Sequence, residues 1–296
     1  MGARDPLLPV ALPTAANSVD DVREYEFLPR DFERVRRLIY QRAGINLSDH
    51  KQNMVYSRLS RRLRVREMRS FGEYLDRFES EPQFAVAEEQ EFVNALTTNL
   101  TSFFREAHHF TVLQEFLHNS QATKPPRIWC AAASTGEEPY SIAISMTEAA
   151  GGRPAGFLLA TDIDTNVLAS AKRATYRLDE AQACGERRLH RFFLRGTGAN
   201  EGMVRVRPEL AVLVKFAQLN LLDEGWPLVR SFSPQLDAVF CRNVMIYFDR
   251  KTQKEILHRI VQVLRPGGLL FVGHSENFTD FHDSLSLRGK TVYQRK

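Results

Sequence analysis

The chain has 296 residues, more than one domain usually holds, so a large domain with a smaller one is the expected arrangement. Lys and Arg number 40 against 36 Asp and Glu, a near balance that excludes the global positive field of a nucleic-acid-binding protein. The cysteines (Cys130, Cys184 and Cys241) lie far apart, which argues against a disulfide framework and a zinc site. No uncharged apolar run approaches the ~20 residues of a membrane helix. The composition therefore predicts a soluble, cytoplasmic protein.

The first third of the chain has helical patterning. Residues 1–22 mix proline, alanine and small polar residues without periodicity and are predicted to be a disordered tail. Apolar residues then recur at helical spacing, with breaks at Gly44 and Pro82. Residues 23–96 are therefore predicted to form a small all-helical domain, and residues 97–124 an interdomain linker and helix.

Residues 125–296 change to short apolar runs that alternate with helical stretches, namely IWCAAA, FLLATD, VKFAQL, LDAVFC and LLFVGH. This alternation predicts an α/β domain with a parallel, helix-covered, Rossmann-like sheet. Within it, residues 187–214 are rich in glycine and β-forming residues, which predicts a small antiparallel β insertion. The run LRPGGLLF (264–271) is interpreted as a helix ending in a Pro-Gly-Gly turn before a strand, and it resembles the Rossmann-like class I methyltransferases.

Residues 127–140, RIWCAAASTGEEPY, predict a buried strand, a tight turn and a helix beginning near Glu137. Alanines replace most of the dinucleotide-binding glycines, so an ordinary strand-to-helix turn explains the pattern equally well. The helix dipole would favour Glu137 whatever the function, but this carboxylate would repel a pyrophosphate. It suits a cofactor that carries an amino group, such as S-adenosylmethionine.

Acidic and polar residues follow two further predicted strands. Asp162 ends the second strand, the position at which this architecture hydrogen-bonds a ribose. Asp164 is better explained as the N-cap of the next helix. The strand over 236–241 ends at Arg242 and Asn243, which we expect to face the ligand crevice.

Several long strings carry a resemblance to a known family: TTNLTSFFREAHHF (97–110), AAASTGEEPYSIAI (131–144), TDIDTNVL (161–168), FCRNVMIYFD (240–249) and GHSENF (273–278). With them, the chain resembles the bacterial chemotaxis receptor methyltransferases, the CheR family, from about Phe27 to Tyr293. The resemblance implies glutamate O-methylation with S-adenosylmethionine as methyl donor and S-adenosylhomocysteine as product.

The same resemblance implies the site residues. The implied cofactor contacts are Asn99, Thr101, Arg105, Glu137, Asp162, Asn220, Leu221, Arg242 and Asn243. Arg105 and Tyr247 are implied to lie nearest the transferring methyl group as catalytic residues. Taken alone, Tyr247 could be a core aromatic residue, Arg105 an ion-pair partner, and Asn99 and Thr101 plain turn residues. No metal is expected, because no third ligand type accompanies His108 and His109 in the sequence, and a helix-face or capping role suits these two better.

Arginines concentrate between residues 58 and 69, where Arg58, Arg61 and Arg64 would project from one side of a helix. This face suits the glutamate-rich cytoplasmic helices of a methyl-accepting chemotaxis receptor, the implied partner. It would equally suit the phosphates of a nucleic acid, or be a solvated surface. CRNVMIYF lacks the N-P-P-Y or D-P-P-Y loop of base-amino methylases, so no nucleic-acid partner is expected. A catalytically inert binding module is a further alternative, against which the intact site residues argue. We expect a monomer without membrane insertion.

The insertion carries a second candidate partner site, composed of Arg195, Gly196, Gly198, Gly202 and Arg205. In one interpretation the glycines only serve the turns of a hairpin. In the other they admit an extended peptide as a further strand, and the arginines meet its acidic groups. The resemblance supports the second, since members with a similar R-G-T-G loop bind a peptide at the C-terminus of certain receptors.

Overall fold

The computed structural model describes residues 23–120, 124–278 and 283–296, so the tail predicted for residues 1–22 lies outside the described residues. The first domain consists of α-helices α1 (Pro29–Ala43), α2 (Gln52–Val65), α3 (Phe71–Ser80) and α4 (Pro82–Leu96). Gly44 ends α1 in the left-handed conformation (φ 67°), where a glycine has no Cβ penalty. Pro82 occupies the first turn of α4, where its missing N–H costs no hydrogen bond.

The large sheet consists of parallel strands followed by an antiparallel pair. Its strands are β1 (Arg127–Cys130), β2 (Phe157–Asp162), β6 (Val214–Gln218), β7 (Leu236–Phe240), β8 (Leu264–Phe271), β9 (Leu285–Gly289) and β10 (Val292–Arg295). They lie in the order β6-β2-β1-β7-β8-β10-β9, with β9 and β10 antiparallel. The chain winds outward from β1 to β6 and then returns to β7 on the other side of β1. A crevice therefore opens between the carboxyl ends of β1 and β7, where ligands bind in such sheets.

Both faces of this sheet are covered by helices, because alternate strand residues face opposite sides. The helices of this domain are α5 (His108–His118), α6 (Glu137–Ala149), α7 (Thr165–Arg173), α8 (Leu178–Ala181), α9 (Glu186–Phe192), α10 (Pro208–Ala211), α11 (Pro227–Phe232) and α12 (Arg250–Val263), of which α8 and α9 pack on the small sheet described below. Ile128 belongs to the apolar cluster that contains α5 and α6, whereas its neighbour Trp129 belongs to the cluster beneath α11 and α12. The prediction of an α/β, Rossmann-like fold is confirmed.

The small antiparallel sheet is also confirmed, and it begins earlier than predicted. It consists of β3 (Thr175–Arg177), β4 (Phe193–Arg195) and β5 (Met203–Val206), with β5 in the centre. The first of these strands lies before the predicted range of 187–214. Phe103, in the interdomain segment, packs edge-on against Tyr176 and Phe193, at ring-centroid distances of 4.9 Å and 5.6 Å. The small sheet is thus anchored to the segment that precedes Arg105.

One local prediction was wrong. The helix before the Pro-Gly-Gly run ends at Val263, and Leu264–Phe271 is strand throughout. The register between β7 and β8 shifts inside this run, and Gly267 adopts a φ of 75°. The glycine therefore forms a bulge within a strand instead of a helix-ending turn. In the described ranges, none of the helices has both the length and the apolar character needed to cross a membrane.

Candidate active site

A cavity of about 460 Å³ lies at the carboxyl ends of β1, β2 and β7, a volume typical of small-ligand sites. Most of the predicted site residues line it, namely Asn99, Thr101, Arg105, Asp162, Asn220, Leu221, Arg242, Asn243 and Tyr247. Glu137 is not among the lining residues, whereas its neighbour Glu138 is. The helical domain also contributes to the wall, through residues that the sequence did not mark: Asn46, Leu47, Ser48, Lys51 and Met54.

Asp162 ends β2 at the cavity wall with only 9% of its surface exposed. Its Oδ2 accepts the N–H of Ser134 at 2.8 Å, and its Oδ1 accepts the N–H of Asp164 at 3.0 Å. Burial raises the pKa of Asp162 to about 6, and these backbone donors only partly oppose the shift. The carboxyl group therefore changes charge close to neutral pH.

Asp164 is the N-cap of α7, as predicted, because its Oδ1 accepts the N–H groups of Asn166 and Val167. Its second oxygen, Oδ2, accepts hydrogen bonds from the Thr97 hydroxyl at 2.6 Å and the Asn99 side chain at 2.8 Å. The cap therefore also fixes the interdomain segment at the edge of the cavity. A single carboxylate couples the start of α7 to a predicted cofactor contact.

The turn between β1 and α6 has a structural explanation for its glycine. Gly136 adopts a φ of 103°, and a Cβ there would lie 2.6 Å from the Tyr176 hydroxyl. Close packing on β3, rather than approach to a ligand, therefore requires this glycine. Glu137 accepts the Thr135 hydroxyl at 2.6 Å, and burial raises its pKa. These contacts explain why Glu137 does not line the cavity.

Arg242 follows β7 and is buried between two carboxylates. Its Nη1 donates to Glu138 at 2.6 Å, and its Nη2 lies 3.4 Å from Glu106. Burial raises the pKa of Glu138, and Arg242 opposes this shift only in part. Burial acts in the same direction on Glu106, but Arg242 and the backbone N–H of His274 outweigh it, so the pKa of Glu106 is lowered. Arg242 lines the cavity, but its guanidinium is thus bonded to protein groups.

The loop after Arg242 depends on Glu276, which sequence reasoning did not single out. Asn243 adopts a left-handed conformation (φ 56°), which asparagine tolerates better than most residues other than glycine. Glu276 stabilises the loop by accepting the N–H groups of Asn243 at 3.0 Å, Met245 at 2.8 Å and Gly273 at 2.5 Å. A Cβ on Gly273 would collide with the Asn243 side chain. The GHSENF string (273–278) therefore stabilises, through Glu276, the loop that carries Asn243 at the cavity.

Arg58, Arg61 and Arg64 differ in what they contact. Arg58 donates to the carbonyl groups of Ala95 and Thr97, at the end of α4. Arg64 pairs with Glu24, and Arg61 is exposed and makes no ion pair with a described residue. The predicted common face is therefore reduced to Arg61 and Arg64, because Arg58 caps a helix.

The structure adds Glu106 to the two neighbouring histidines, contrary to the expectation that no third ligand type lies near them. Ligand atoms of Glu106, His108 and His109 lie within 4.8 Å of one another. The Arg242 guanidinium at 3.4 Å from Glu106 disfavours a cation there, and Nε2 of both rings contacts the Lys290 carbonyl group. Burial lowers the pKa of His109 to about 4, so its imidazole is neutral at ordinary pH. These contacts favour the predicted structural role of the histidines.

The insertion glycines also have structural reasons. Gly198 and Gly202 adopt φ values of 58° and 79° in the β4–β5 connection, and a Cβ on Gly196 would collide with the Asn200 carbonyl group. In the strand pairing Leu194 lies opposite Arg205, and Arg195 opposite Val204. Arg195 and Arg205 therefore lie on opposite faces of the small sheet. The edge strand β4 carries Arg195, whereas Arg205 is one strand further in.

A Rossmann-like sheet with its cavity at this switch point, an acidic residue ending β2 and an α-helical domain that contributes to the cavity wall are features of one class of S-adenosylmethionine-dependent methyltransferase. The sequence matches two family descriptions: the CheR methyltransferase all-alpha domain over residues 30–97, and the CheR methyltransferase SAM binding domain over residues 99–294. The chain belongs to the CheR methyltransferase family.

The names of similar proteins agree with this assignment. A chemotaxis protein methyltransferase of Salmonella typhimurium is 54% identical over 88% of this chain and 88% of that protein. One from Escherichia coli is 52% identical over 88% of this chain and 89% of its own length. Chemotaxis protein methyltransferase 2 of Pseudomonas aeruginosa is 49% identical over 95% of this chain and 99% of that protein. The chain therefore spans almost the whole length of these proteins.

Proposed function

We propose that this enzyme forms methyl esters on glutamate side chains of methyl-accepting chemotaxis receptors. The observation that carries the proposal is that Arg105 and Tyr247, which are far apart in the sequence, line one cavity with Asp162. The relatives are named as chemotaxis methyltransferases, and no finding favours methylation of a nucleic acid. Because the receptor helices are cytoplasmic, we place the enzyme in the cytoplasm.

The donor set of the cavity fits S-adenosylmethionine. Asp162 offers a buried carboxylate to a ribose diol, and Asn220 with Leu221 gives the adjoining wall a polar and an apolar group. Asn99, Thr101 and Asn243 add uncharged polar groups. Glu138 adds an acidic group, which would suit the amino group of the cofactor. When bound, this cofactor supplies a methyl group on a positively charged sulfur.

The side chains at the cavity need to orient a carboxylate, not to remove a proton. Glutamate is already ionised at neutral pH, so no general base is required. Orientation in a water-poor site contributes up to roughly 7 to 11 kcal/mol in the best cases. The substrate loses its charge as the ester forms, so a tight ion pair would stabilise the ground state more than the transition state. A positioning hydroxyl from Tyr247 therefore suits the reaction better than a bidentate arginine.

Two surfaces are proposed to hold the receptor. Arg61 and Arg64 on α2 would meet acidic receptor helices, and the exposed Lys51 extends this charge to the cavity. The edge strand β4 would pair with an extended receptor peptide, with Arg195 beside the added strand. Such a tether would raise the local receptor concentration without changing the chemistry.

Methyl-labelled cofactor and receptor-rich membranes test the proposal directly. We expect a label on the receptor that base releases as volatile methanol, because a methyl ester is base-labile. A parallel incubation without the enzyme controls for other methyltransferases in the membranes. A base-stable label would indicate methylation of nitrogen or carbon and would contradict ester formation.

A further inference from the structure

The turn that carries Arg105 is conformationally unfavourable on both sides of that residue. Phe104 and Glu106 adopt φ values of 52° and 57°, left-handed conformations that residues with a side chain rarely occupy. Such a turn persists only where its surroundings hold it. The Phe104 N–H donates to the Ser141 hydroxyl of α6 at 2.9 Å, which fixes its first side.

Arg242 fixes the other side of the turn. Its Nη2 donates to the carbonyl oxygen of Arg105 at 2.7 Å, while Nη1 donates to Glu138 at 2.6 Å. Glu106, within the turn itself, approaches the same guanidinium at 3.4 Å. The planar fork of an arginine can satisfy two such acceptors in fixed directions, which an ammonium group cannot do. Arg242 is 4% exposed, so water cannot readily replace it.

From this geometry we propose that Arg242 is a positioning residue, which acts by holding Arg105 in place through its carbonyl group. Glu138 and Glu106 in turn hold the Arg242 guanidinium. The inference rests on the proposed function, in which Arg105 lies beside the transferring methyl group. It differs from a direct cofactor contact by Arg242, because the effect of removing Arg242 would pass through Arg105.

A double-mutant cycle with Arg105→Ala and Arg242→Lys tests this route. We expect Arg242→Lys to lower kcat roughly 10- to 100-fold, as expected for a misplaced group, with receptor KM changed less than about twofold. The double variant should be no worse than the more damaged single variant, because both act through one group. S-adenosylhomocysteine affinity, measured by calorimetry, should fall no further in Arg242→Lys than in Arg105→Ala. Losses that multiply in the double variant would overturn the proposal.

Hydrogen exchange provides a readout that does not depend on activity. We expect faster amide exchange in Arg242→Lys over residues 102–107, with other regions unchanged. Arg265→Lys is the matched control, since Arg265 also pairs with a carboxylate, Asp237 at 2.7 Å, and donates to the Pro266 carbonyl group. Unchanged exchange over 102–107 in Arg242→Lys would contradict the positioning role.

A replacement variant and an activity-independent readout keep the test decisive. If Arg242→Lys does not fold, Glu138→Gln replaces it in the exchange measurement on the cofactor-free protein, because it weakens the same anchor while keeping an acceptor. If wild-type protein gives no base-labile methanol, the proposed function fails. The exchange result still decides whether Arg242 holds the turn.

Discussion

The N–H of Asn46 donates to the carbonyl oxygen of Tyr247 at 2.8 Å and so joins the helical domain to the turn beside the cavity. Neighbouring contacts reinforce this junction. Tyr40 donates to Asp249 at 2.5 Å, and Asn220 donates to the Arg42 carbonyl group at 2.8 Å. The helical domain therefore helps to shape the site.

Gly44 lies at this junction and allows a matched test of it. Gly44→Ala and Gly151→Ala both place alanine at a helix end with nearly equal φ values of 67° and 68°, so each should lose roughly 1 to 2 kcal/mol of unfolding free energy. Only a Cβ at Gly44 meets neighbours, Leu222 at 3.1 Å and Phe248 at 3.2 Å. We therefore expect Gly44→Ala alone to weaken S-adenosylhomocysteine binding by calorimetry. Equal affinity in the two variants would mean that the junction does not shape the site.

Asp162 predicts a pH dependence of cofactor binding. Because burial raises its pKa to about 6, the carboxylate that would accept the ribose hydroxyl groups is lost as pH falls through that value. If only the ionised form binds, S-adenosylhomocysteine affinity should fall roughly tenfold between pH 7 and pH 5. Asp162→Asn should bind more weakly and lack this dependence. A parallel fall in Asp162→Asn would assign the titration to another group.

The same pKa shift makes a prediction for stability. A carboxyl group whose pKa is raised by folding stabilises the native state fully at low pH, and this contribution is lost as pH rises through about 6. Asp162→Asn should therefore gain relative stability over wild type as pH increases from 4 to 7. Denaturant unfolding of both proteins across this range measures the difference, and a constant difference would contradict the shift.

Tyr247→Phe isolates the hydroxyl group proposed to orient the substrate carboxylate. We expect kcat to fall roughly 10- to 100-fold because the ring remains in place while the carboxylate loses a positioning contact. S-adenosylhomocysteine affinity should stay within about twofold of wild type. Full turnover at saturating receptor would show that the hydroxyl group has no positioning role.

Local patterns predicted the framework well, because strand ends and helix starts depend on neighbouring residues. The apolar run before Asp162 and the cap at Asp164 are examples. Contacts between distant segments could not be predicted in this way, because neighbouring residues do not indicate them. Nothing in GEEPY showed that Glu138, and not Glu137, would line the cavity, since that depends on Arg242, which lies 104 residues further along the chain. Glu276 lay in a matched string, but its three backbone partners became visible only in the folded chain.

Substitution of the arginines of α2 should affect stability differently for residues with a structural role and residues at the surface. Glu88 is fully buried and accepts Arg62, Arg66 and the Tyr74 hydroxyl at 2.6 to 3.0 Å. Arg62→Ala leaves this buried charge underpaired and should cost about 3 to 5 kcal/mol of unfolding free energy. Arg61→Ala should cost less than ~0.5 kcal/mol.

Receptor kinetics test the surface role of Arg61. Arg61→Ala should raise receptor KM and reduce the salt dependence of methylation, because exposed charge contacts are screened by salt. S-adenosylhomocysteine affinity should persist. A comparable loss of cofactor affinity would mean that α2 acts on the cavity instead of the receptor.

The open edge of β4 predicts where a receptor C-terminal peptide would bind. Arg195 lies on that edge, and Arg177 lies on the opposite edge strand of the same small sheet, where it pairs with Asp179 at 2.7 Å, so Arg177→Glu is a charge-reversal control at the other edge. We expect Arg195→Glu to abolish binding of the peptide in calorimetry, because its reversed charge would repel the acidic groups of an added strand. Arg205→Glu should have a smaller effect, since Arg205 lies on the central strand. S-adenosylhomocysteine affinity should not change in any of the three variants.

Substitution of the glycines would test the tether less clearly. Valine at Gly196 would collide with the Asn200 carbonyl group and distort the loop, so lost binding could reflect misfolding alone. The charge reversals avoid this ambiguity because Arg195 and Arg205 are both exposed. If Arg177→Glu weakened binding of the peptide as much as Arg195→Glu, the small sheet would attract the peptide only through its overall charge. If wild-type protein bound no receptor-tail peptide, the insertion would be structural, because its glycines already have their explanation in the turns of the hairpin.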